Sequence, residues 1–446
     1  MIKKFVKDIE DGVIKLPEFY DKVIKKCKAI DSKHNCFITI NEDASKEKPK
    51  SGLLTGVPIS VKDCICTKGI RSTAGSKILE NYVPVFDATV ISRLKEQGAI
   101  IIGKTAQDEF GFGSFSTNCA YEIPKNPFDT DRSCGGSSGG AGCITQLADF
   151  PHVALAESTG GSISNPAAFC GVYSITPTYG IVSRYGLIDY ANSLDKIGLM
   201  SKNIEDLKMV FEIIVGKDKM DPTTVDYAPV KPDVKKIGIP KQYVKGLDKK
   251  IEKAFWDAIK KLEKKGIKFE EFDLAYTDEA LPAYYIIAMA EASTNLAKYS
   301  GLRYGLQLPL QGNFEEYAST VREQGFGQEA KRRIILGTYT RMAGYRDQYY
   351  LKAMKIRTKI IDEFKKHFKK YDAIVSPTMP ILPPKFKEIE KLTPLENYQM
   401  DILTVGPNVA GLPHLNIPIA ESIGLHVIGN HMSENKLFKV GEIYGS

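Results

Sequence analysis

Three short stretches carry residue types that could do nucleophilic chemistry. "SVKD" sets Lys62 at the mouth of an apolar strand, "CGGSSGGAG" sets Ser137 and Ser138 in a glycine-rich loop, and "ESTGGSIS" sets Ser162 after paired glycines at the end of another strand. A serine nucleophile needs a proton acceptor, and no histidine follows within reach of the Ser162 turn. A neutral lysine can fill that role, and burial among apolar strands disfavours the charged form of an amine. A second serine between lysine and nucleophile can pass the proton on, because a hydroxyl both donates and accepts. Glycines ahead of Ser162 let backbone N–H groups converge on one point, an oxyanion hole built without side chains. Singly, a strand-end lysine reads as solvent-facing and a Gly/Ser loop as a flexible turn. Together they point to catalysis.

The elements that must position these residues alternate between strand and helix. Residues 1–45 read as one or two helices ending near Asn41. A short buried strand follows at 57–61, then a helix from about Ala88 to Gln97 with Asp87 as N-cap and Gly98 as its stop, then the strand "AIIIG". Residues 105–142 are rich in Gly, Ser, Asn and Phe, too long a run for an idle loop. "SRYGLIDYANSLDKIGLMSKNIEDL" reads as a loop running into a helix. "VKKIGIP", the amphipathic "LDKKIEKAFWDAIKKLEKKG" and "IKFEEFD" form a βαβ-like unit, 279–365 is mostly helical, and 371–380 returns a buried strand. This grammar predicts an α/β fold. No repeat, linker or low-complexity tract marks a cut, so residues 1–446 are expected to form one large domain, with 1–45 as an N-terminal helical appendage.

Composition bounds the partners. The chain is 43% hydrophobic and 26% charged, which suffices for a large buried core, and its net charge of +7 is a mild excess that an anionic partner would tolerate but does not demand. The lysine-rich stretches 235–266 and 352–370 read as solvated helix faces. The eight cysteines lack CxxC pairs, which argues against a zinc site or a disulfide framework and for a reducing compartment. The N-terminus carries acids early and does not read as a signal peptide, and no apolar run reaches membrane-helix length. A cytoplasmic location is expected. No P-loop or HExxH pattern occurs, so no metal or nucleotide is expected in this chain.

The "GGSSGG" loop, the "STGGSIS" turn with "NPAAFCGV" after it, and the strand-end "VKD" resemble the amidase signature family from about residue 50 to 430. That resemblance implies a central mixed β-sheet covered by helices on both faces, and a Ser–cis-Ser–Lys triad hydrolysing amides. Carried over residue by residue, it implies Lys62 as base, Ser137 as the cis-serine relay and Ser162 as nucleophile. The N–H groups of Thr159, Gly160, Gly161 and Ser162 would form the oxyanion hole. "DEFGFGSFSTN", "VSRYGLIDYANSLDKIG", "GFGQEAKRRIILGTYTRMAGYRDQYYLKA" and "YQMDILTVGPNVAGLP" resemble one branch of the family, the glutaminase A subunits of tRNA-dependent amidotransferases. The branch implies glutamine as substrate, with Arg333 for its α-carboxylate, Asp401 for its α-ammonium and Tyr284 lining the pocket. It also implies partner B and C subunits, ATP and magnesium on the B subunit, and aminoacyl-tRNA bound mainly there.

Two positions depart from the family turn Ser-Asp-Thr-Gly-Gly-Ser-Ile-Arg: Ser158 stands where Asp belongs and Ser164 where Arg belongs. Loss of both members of a charge pair leaves no lone buried charge, so a coupled replacement is expected, with restoration of one charge more harmful than restoration of both. The C-terminal stretch is shorter than the family's usual Gly-Pro-rich loop there. The competing readings are a stand-alone amidase on small amides, which would act without partners, and a non-catalytic scaffold that keeps only the fold.

Overall fold

The computed structural model describes residues 1–446. Eleven strands form one sheet: β1 (Phe37–Ile40), β2 (Pro58–Lys62), β3 (Ile100–Thr105), β4 (Val153–Ser158), β5 (Tyr173–Thr176), β6 (Lys196–Ser201), β7 (Lys236–Pro240), β8 (Lys268–Phe272), β9 (Ala373–Pro377), β10 (His414–Ala420) and β11 (Ile423–Ile428). Their order across the sheet is β1-β3-β2-β4-β6-β5-β10-β11-β9-β7-β8. The β2–β3, β2–β4, β7–β8 and β7–β9 pairs are parallel and the others antiparallel, so the sheet is mixed. The α/β class with helices on both faces is the architecture found.

The two faces differ in side-chain size. Ile59, Val61, Val153, Leu155, Ile175, Leu199 and Leu415 join the main core beneath the helices Thr89–Glu96, Ile204–Ile214 and Glu434–Gly445. On the other face, Ala154, Ala156 and Met200 pack with Ile163 and Ala167 of the segment after Ser162. Small residues there let the helix Ser164–Cys170 lie close to the sheet, which brings the Ser162 turn down onto the strand ends.

Several local expectations are corrected. Helices cover Ile2–Glu10 and Leu16–His34, but 37–40 is the edge strand β1, because Asn35 turns left-handed (φ 54°) and ends the helix. The 1–45 segment is joined closely to the rest: β1 pairs with β3, and Ile2, Phe5 and Val6 enter the main core. Asp87 does not cap the helix Thr89–Glu96; its carboxylate accepts the Lys68 N–H and pairs with Lys95. The run expected to pass from loop to helix contains β6, a fully buried strand whose Lys196 masks its apolar character. No helix is long and apolar enough to cross a membrane.

Candidate active site

Lys62 ends β2 and is fully buried. Its Nζ donates to Ser137 Oγ at 2.6 Å, to the Glu157 carbonyl at 3.0 Å and to Glu157 Oε2 at 2.8 Å. Between the two loop serines the geometry is unambiguous. Ser137 faces Lys62 and follows a cis peptide bond from Gly136, whereas the Ser138 hydroxyl donates to the Glu157 carbonyl at 3.1 Å. The loop glycines are there for space: a Cβ on Gly136 would lie 2.4 Å from Asp108 Oδ2, and one on Gly140 2.4 Å from the Cys36 carbonyl. Asp108 in turn accepts the Ser116 and Asn118 N–H groups at 2.9 and 2.8 Å, which folds the long 105–142 segment over the site. Burial pushes its carboxyl up to about 6.

Ser162 follows β4 on the turn before the helix Ser164–Cys170. The Ser138 N–H donates to the Ser162 carbonyl at 3.2 Å, tying the two serine loops together, although no hydrogen bond joins the Ser137 and Ser162 hydroxyls. None of the N–H groups of Thr159, Gly160, Gly161 and Ser162 donates to a backbone acceptor. Buried N–H groups are nearly always paired, so four unpaired donors in succession mark a place built for a ligand's oxygen. Gly160 and Gly161 do not have positive φ. They are glycines through crowding: a Cβ would meet Tyr284 Oη at 2.8 Å from Gly160, and Thr404 Oγ1 at 2.3 Å from Gly161.

Arg333 points inward while its neighbour Arg332 stays half-exposed. Arg333 Nε donates to Glu329 Oε1 at 2.8 Å and Nη1 to Tyr190 Oη. The rings of Phe112, Tyr190, Tyr285 and Tyr398 surround its guanidinium at 5.0 to 5.6 Å. Arg333 lines a cavity of about 770 Å³ with Ser114, Phe115, Asn118, Glu329 and Tyr398. Behind that wall, Asp401 accepts from Ser114 at 2.9 Å, Tyr285 at 2.7 Å and Asn165 at 2.9 Å. Burial raises the Asp401 carboxyl, and these hydrogen bonds oppose the rise. Asn165 lies three residues beyond Ser162, so the helix after the Ser162 turn is fastened to Asp401. Arg333 itself is positioned by Glu109, whose carboxylate accepts the Gly327 N–H at the start of the helix Gln328–Arg341. Gly337 of that helix lets it press on Thr277–Asn295: a Cβ there would lie 1.8 Å from the Met289 carbonyl.

Sequence reading missed Glu157. It occupies the position of the first serine of the family turn, a carboxylate inserted beside the expected base, and that mismatch was the available signal. Lys62 is therefore buried next to a carboxylate, not among apolar groups alone. Also missed was the setting of Ser158 and Ser164. Ser164 Oγ lies 2.9 Å from His414 Nδ1, and buried Ser158, without a partner, sits opposite Lys196 in the β4–β6 ladder.

The family model described as Amidase matches residues 18–438. A protein of Archaeoglobus fulgidus, named as the A subunit of glutamyl-tRNA(Gln) amidotransferase, is 45% identical over 439 residues, 96% of this chain and 95% of that one. A protein of the same name from Sulfurisphaera tokodaii is 44% identical over 97% of this chain and 95% of its own. Among solved structures, the A subunit of glutamyl-tRNA(Gln) amidotransferase from Thermotoga maritima is 36% identical, with a TM-score of 0.83 over 99% of this chain and 93% of that one. The 6-aminohexanoate cyclic dimer hydrolase, 21% identical with a TM-score of 0.86, shares the fold. With a family match over nearly the whole chain and relatives this similar along their full lengths, the chain belongs to the amidase family.

Proposed function

We propose that this chain is the glutamine-hydrolysing subunit of a tRNA-dependent amidotransferase. Ser162 attacks the side-chain amide of glutamine, its proton passing through Ser137 to Lys62. The N–H groups of Thr159 to Ser162 take the developing oxyanion, and the proton returns to the departing nitrogen as ammonia leaves. Water then hydrolyses the acyl-enzyme by the same relay. The observation that carries the reading is the run of four unpaired N–H groups ending at Ser162, set beside a lysine bonded to a second serine. The similarity to relatives named as A subunits of this enzyme selects glutamine from among amides.

The α-groups of glutamine call for a cation and an anion on either side of the pocket, and Arg333 and Asp401 fit them. Asp401 accepts three hydrogen bonds, two at Oδ2 and one at Oδ1, which leaves a lone pair for the α-ammonium, while Tyr284 packs against the Gly160 turn. The ammonia goes to a partner B subunit, with a C subunit completing a heterotrimer in the cytosol. ATP and magnesium act on that B subunit, which also binds the aminoacyl-tRNA and decides between glutamyl and aspartyl forms.

The test is ammonia release from glutamine by the chain alone and with B and C subunits and charged tRNA, with Ser162→Ala as control. Serine-dependent release that rises with partners and tRNA is expected. Release from simple amides only would establish a stand-alone amidase, and none in any setting a scaffold.

A further inference from the structure

Lys62 in this geometry is not ready to be a base. An ammonium has three hydrogens and no lone pair. Its three acceptors here are Ser137 Oγ, the Glu157 carbonyl and Glu157 Oε2, so the hydrogen between lysine and Ser137 runs from nitrogen to oxygen, opposite to the direction catalysis needs. Of the three, only the carboxylate can take a proton. Glu157 is buried, and Ser137 Oγ and Glu157 Oε2 share Lys62 Nζ as donor and both border Gly111, each 3.5 Å from where a Cβ on it would stand.

A second contact fixes the other oxygen of Glu157. Thr159 Oγ1 lies 2.9 Å from Glu157 Oε1 and 2.8 Å from Asp195 Oδ1, and Asp195 Oδ2 accepts the Tyr190 and Ala191 N–H groups at 2.8 and 2.9 Å. One hydroxyl carries one hydrogen, so one of these two oxygen contacts requires a proton from an acid. Burial and then the charge of Glu157 raise the Asp195 carboxyl well above its usual range, which makes Asp195 the acid. The line then runs from the Asp195 acid to Thr159, from Thr159 to Glu157 Oε1, and from Lys62 to Glu157 Oε2.

We propose that Glu157 is a positioning residue for Lys62 that also holds its proton through the catalytic cycle. The inference rests on the roles given above to Lys62 and Ser162. In the first step the Nζ–H bond breaks and an O–H bond forms at Glu157 Oε2. An ion pair becomes a neutral pair, and the net charge of the buried site does not change. Rotation about Cε–Nζ then turns the lone pair to Ser137. As Ser162 Oγ bonds to the amide carbon, its proton goes to Ser137 and the Ser137 proton to Lys62, while the carbonyl electrons move to oxygen. When the C–N bond breaks, the Lys62 proton returns through Ser137 to the nitrogen, which leaves as ammonia. Lys62 is again an amine beside a protonated Glu157, ready to accept from the hydrolytic water. The stored proton goes back to Lys62 after deacylation, and none is consumed.

The experiment measures glutamine hydrolysis by the full chain, with and without its partner subunits, for wild type, Glu157→Gln, Glu157→Asp, Ser162→Ala and Lys62→Ala. Glutamine at position 157 keeps the shape and a hydrogen-bond acceptor but takes no proton. The expected result is a kcat lower by about tenfold or more, with KM within about twofold, since Glu157 acts on proton movement and not on substrate. The Glu157→Asp change withdraws the carboxylate by one methylene and is expected to give an intermediate kcat at unchanged KM. A Gln variant with the wild-type kcat, or a higher one, overturns the proposal, because the carboxylate would then only tether the ammonium. If the Gln variant does not fold, the Asp variant decides: undiminished kcat overturns the proposal. Turnover surviving in Ser162→Ala or Lys62→Ala would sink the proposed function itself and is thereby told apart from failure of the Glu157 role.

Discussion

At the scale of the residue, two adjacent pairs that sequence could barely separate are separated by direction. Ser137 touches Lys62, and Ser138 touches only a backbone carbonyl. Ser137→Ala is therefore expected to lower kcat for glutamine by about 100-fold or more, the scale of a lost proton-transfer partner. Ser138→Ala should keep kcat within about threefold and cost about 1 kcal/mol of stability, that of one buried hydrogen bond. Rapid kinetics and thermal melting of both variants check this, and equal losses of kcat would remove the relay role from Ser137. The same logic divides the arginines. Arg333 is enclosed by four aromatic rings and anchored by Glu329, whereas Arg332 is half-exposed. Arg333→Lys loses the planar fork and should raise KM for glutamine about tenfold or more, while Arg332→Ala leaves it within about twofold. A KM insensitive to Arg333 would place the α-carboxylate elsewhere.

At the scale of the element, the Ser162 turn is held between β4 and the helix Ser164–Cys170, and its two departures from the family turn have unequal surroundings. Ser158 faces Lys196 across the ladder, at cross-strand distance, and Lys196 has only the Leu412 carbonyl as partner. Ser164 faces His414. The symmetric expectation, that either charge restored alone does harm, therefore gives way to an asymmetric one. Ser158→Asp gives Lys196 a counter-charge and should keep activity and raise the melting temperature. Ser164→Arg drives a guanidinium against His414 near Lys196 and should cost about 3–5 kcal/mol, that of an uncompensated buried charge, with relief on adding His414→Ala. Thermal melting of the three variants decides, and equal effects of the two single changes would restore the symmetric account. The same region shows what was legible beforehand. Glycine spacing and strand-end positions singled out Lys62, the pair Ser137 and Ser138, and Ser162, because backbone turns impose local residue choices, and only the family resemblance chose Ser137 from the pair. Glu157 showed only as a mismatch in the family turn, whereas His414 and Lys196 were not legible, since what matters about them is which strands are neighbours, and β6 and β10 meet β4 and β5 only through the sheet order. β1 was lost for a similar reason: four residues after a long helix carry too little periodicity to announce an edge strand.

At the scale of the whole molecule, one large core holds many ionisable groups in their neutral forms, and that sets how stability changes with pH. Burial lowers His152 and His426 to about 3, against about 6.5 in an unfolded chain. A group with a depressed folded pKa contributes stability that is present above its unfolded value and lost as pH falls toward the folded one. Each of these histidines should therefore cost about 2 kcal/mol between pH 7.5 and pH 5, and more below. Burial acts oppositely on Asp108 and Glu109, raising them to about 6 and about 7. Their stabilisation is complete below the unfolded carboxyl range and is lost as pH rises through 6 to 7. Lys196, lowered to about 7 by burial, loses its contribution as pH falls from the ordinary lysine range toward 7 and changes little below. Between pH 5 and 7 the histidines and carboxyls offset one another. Below about pH 4.5 the gain from Asp108 and Glu109 nears completion, while the histidines keep losing stability and are joined by carboxylates that their partners hold low in the folded chain, Glu270 at about 2 and Glu329 and Asp372 below their ordinary values. The expected profile is a plateau in melting temperature from about pH 5 to 7 and a steep fall below. His426, whose ring nitrogens have no partner and whose ring packs on His414 at 4.7 Å, is the group to remove. His426→Asn should lift the melting temperature at pH 5, relative to that at pH 7.5, by about 2 °C over the wild-type profile, the equivalent of about 2 kcal/mol for a chain of this length. Melting curves of the two proteins at pH 7.5, 6, 5 and 4 make the comparison. Parallel profiles would mean that His426 takes up its proton in the folded state as readily as in the unfolded one.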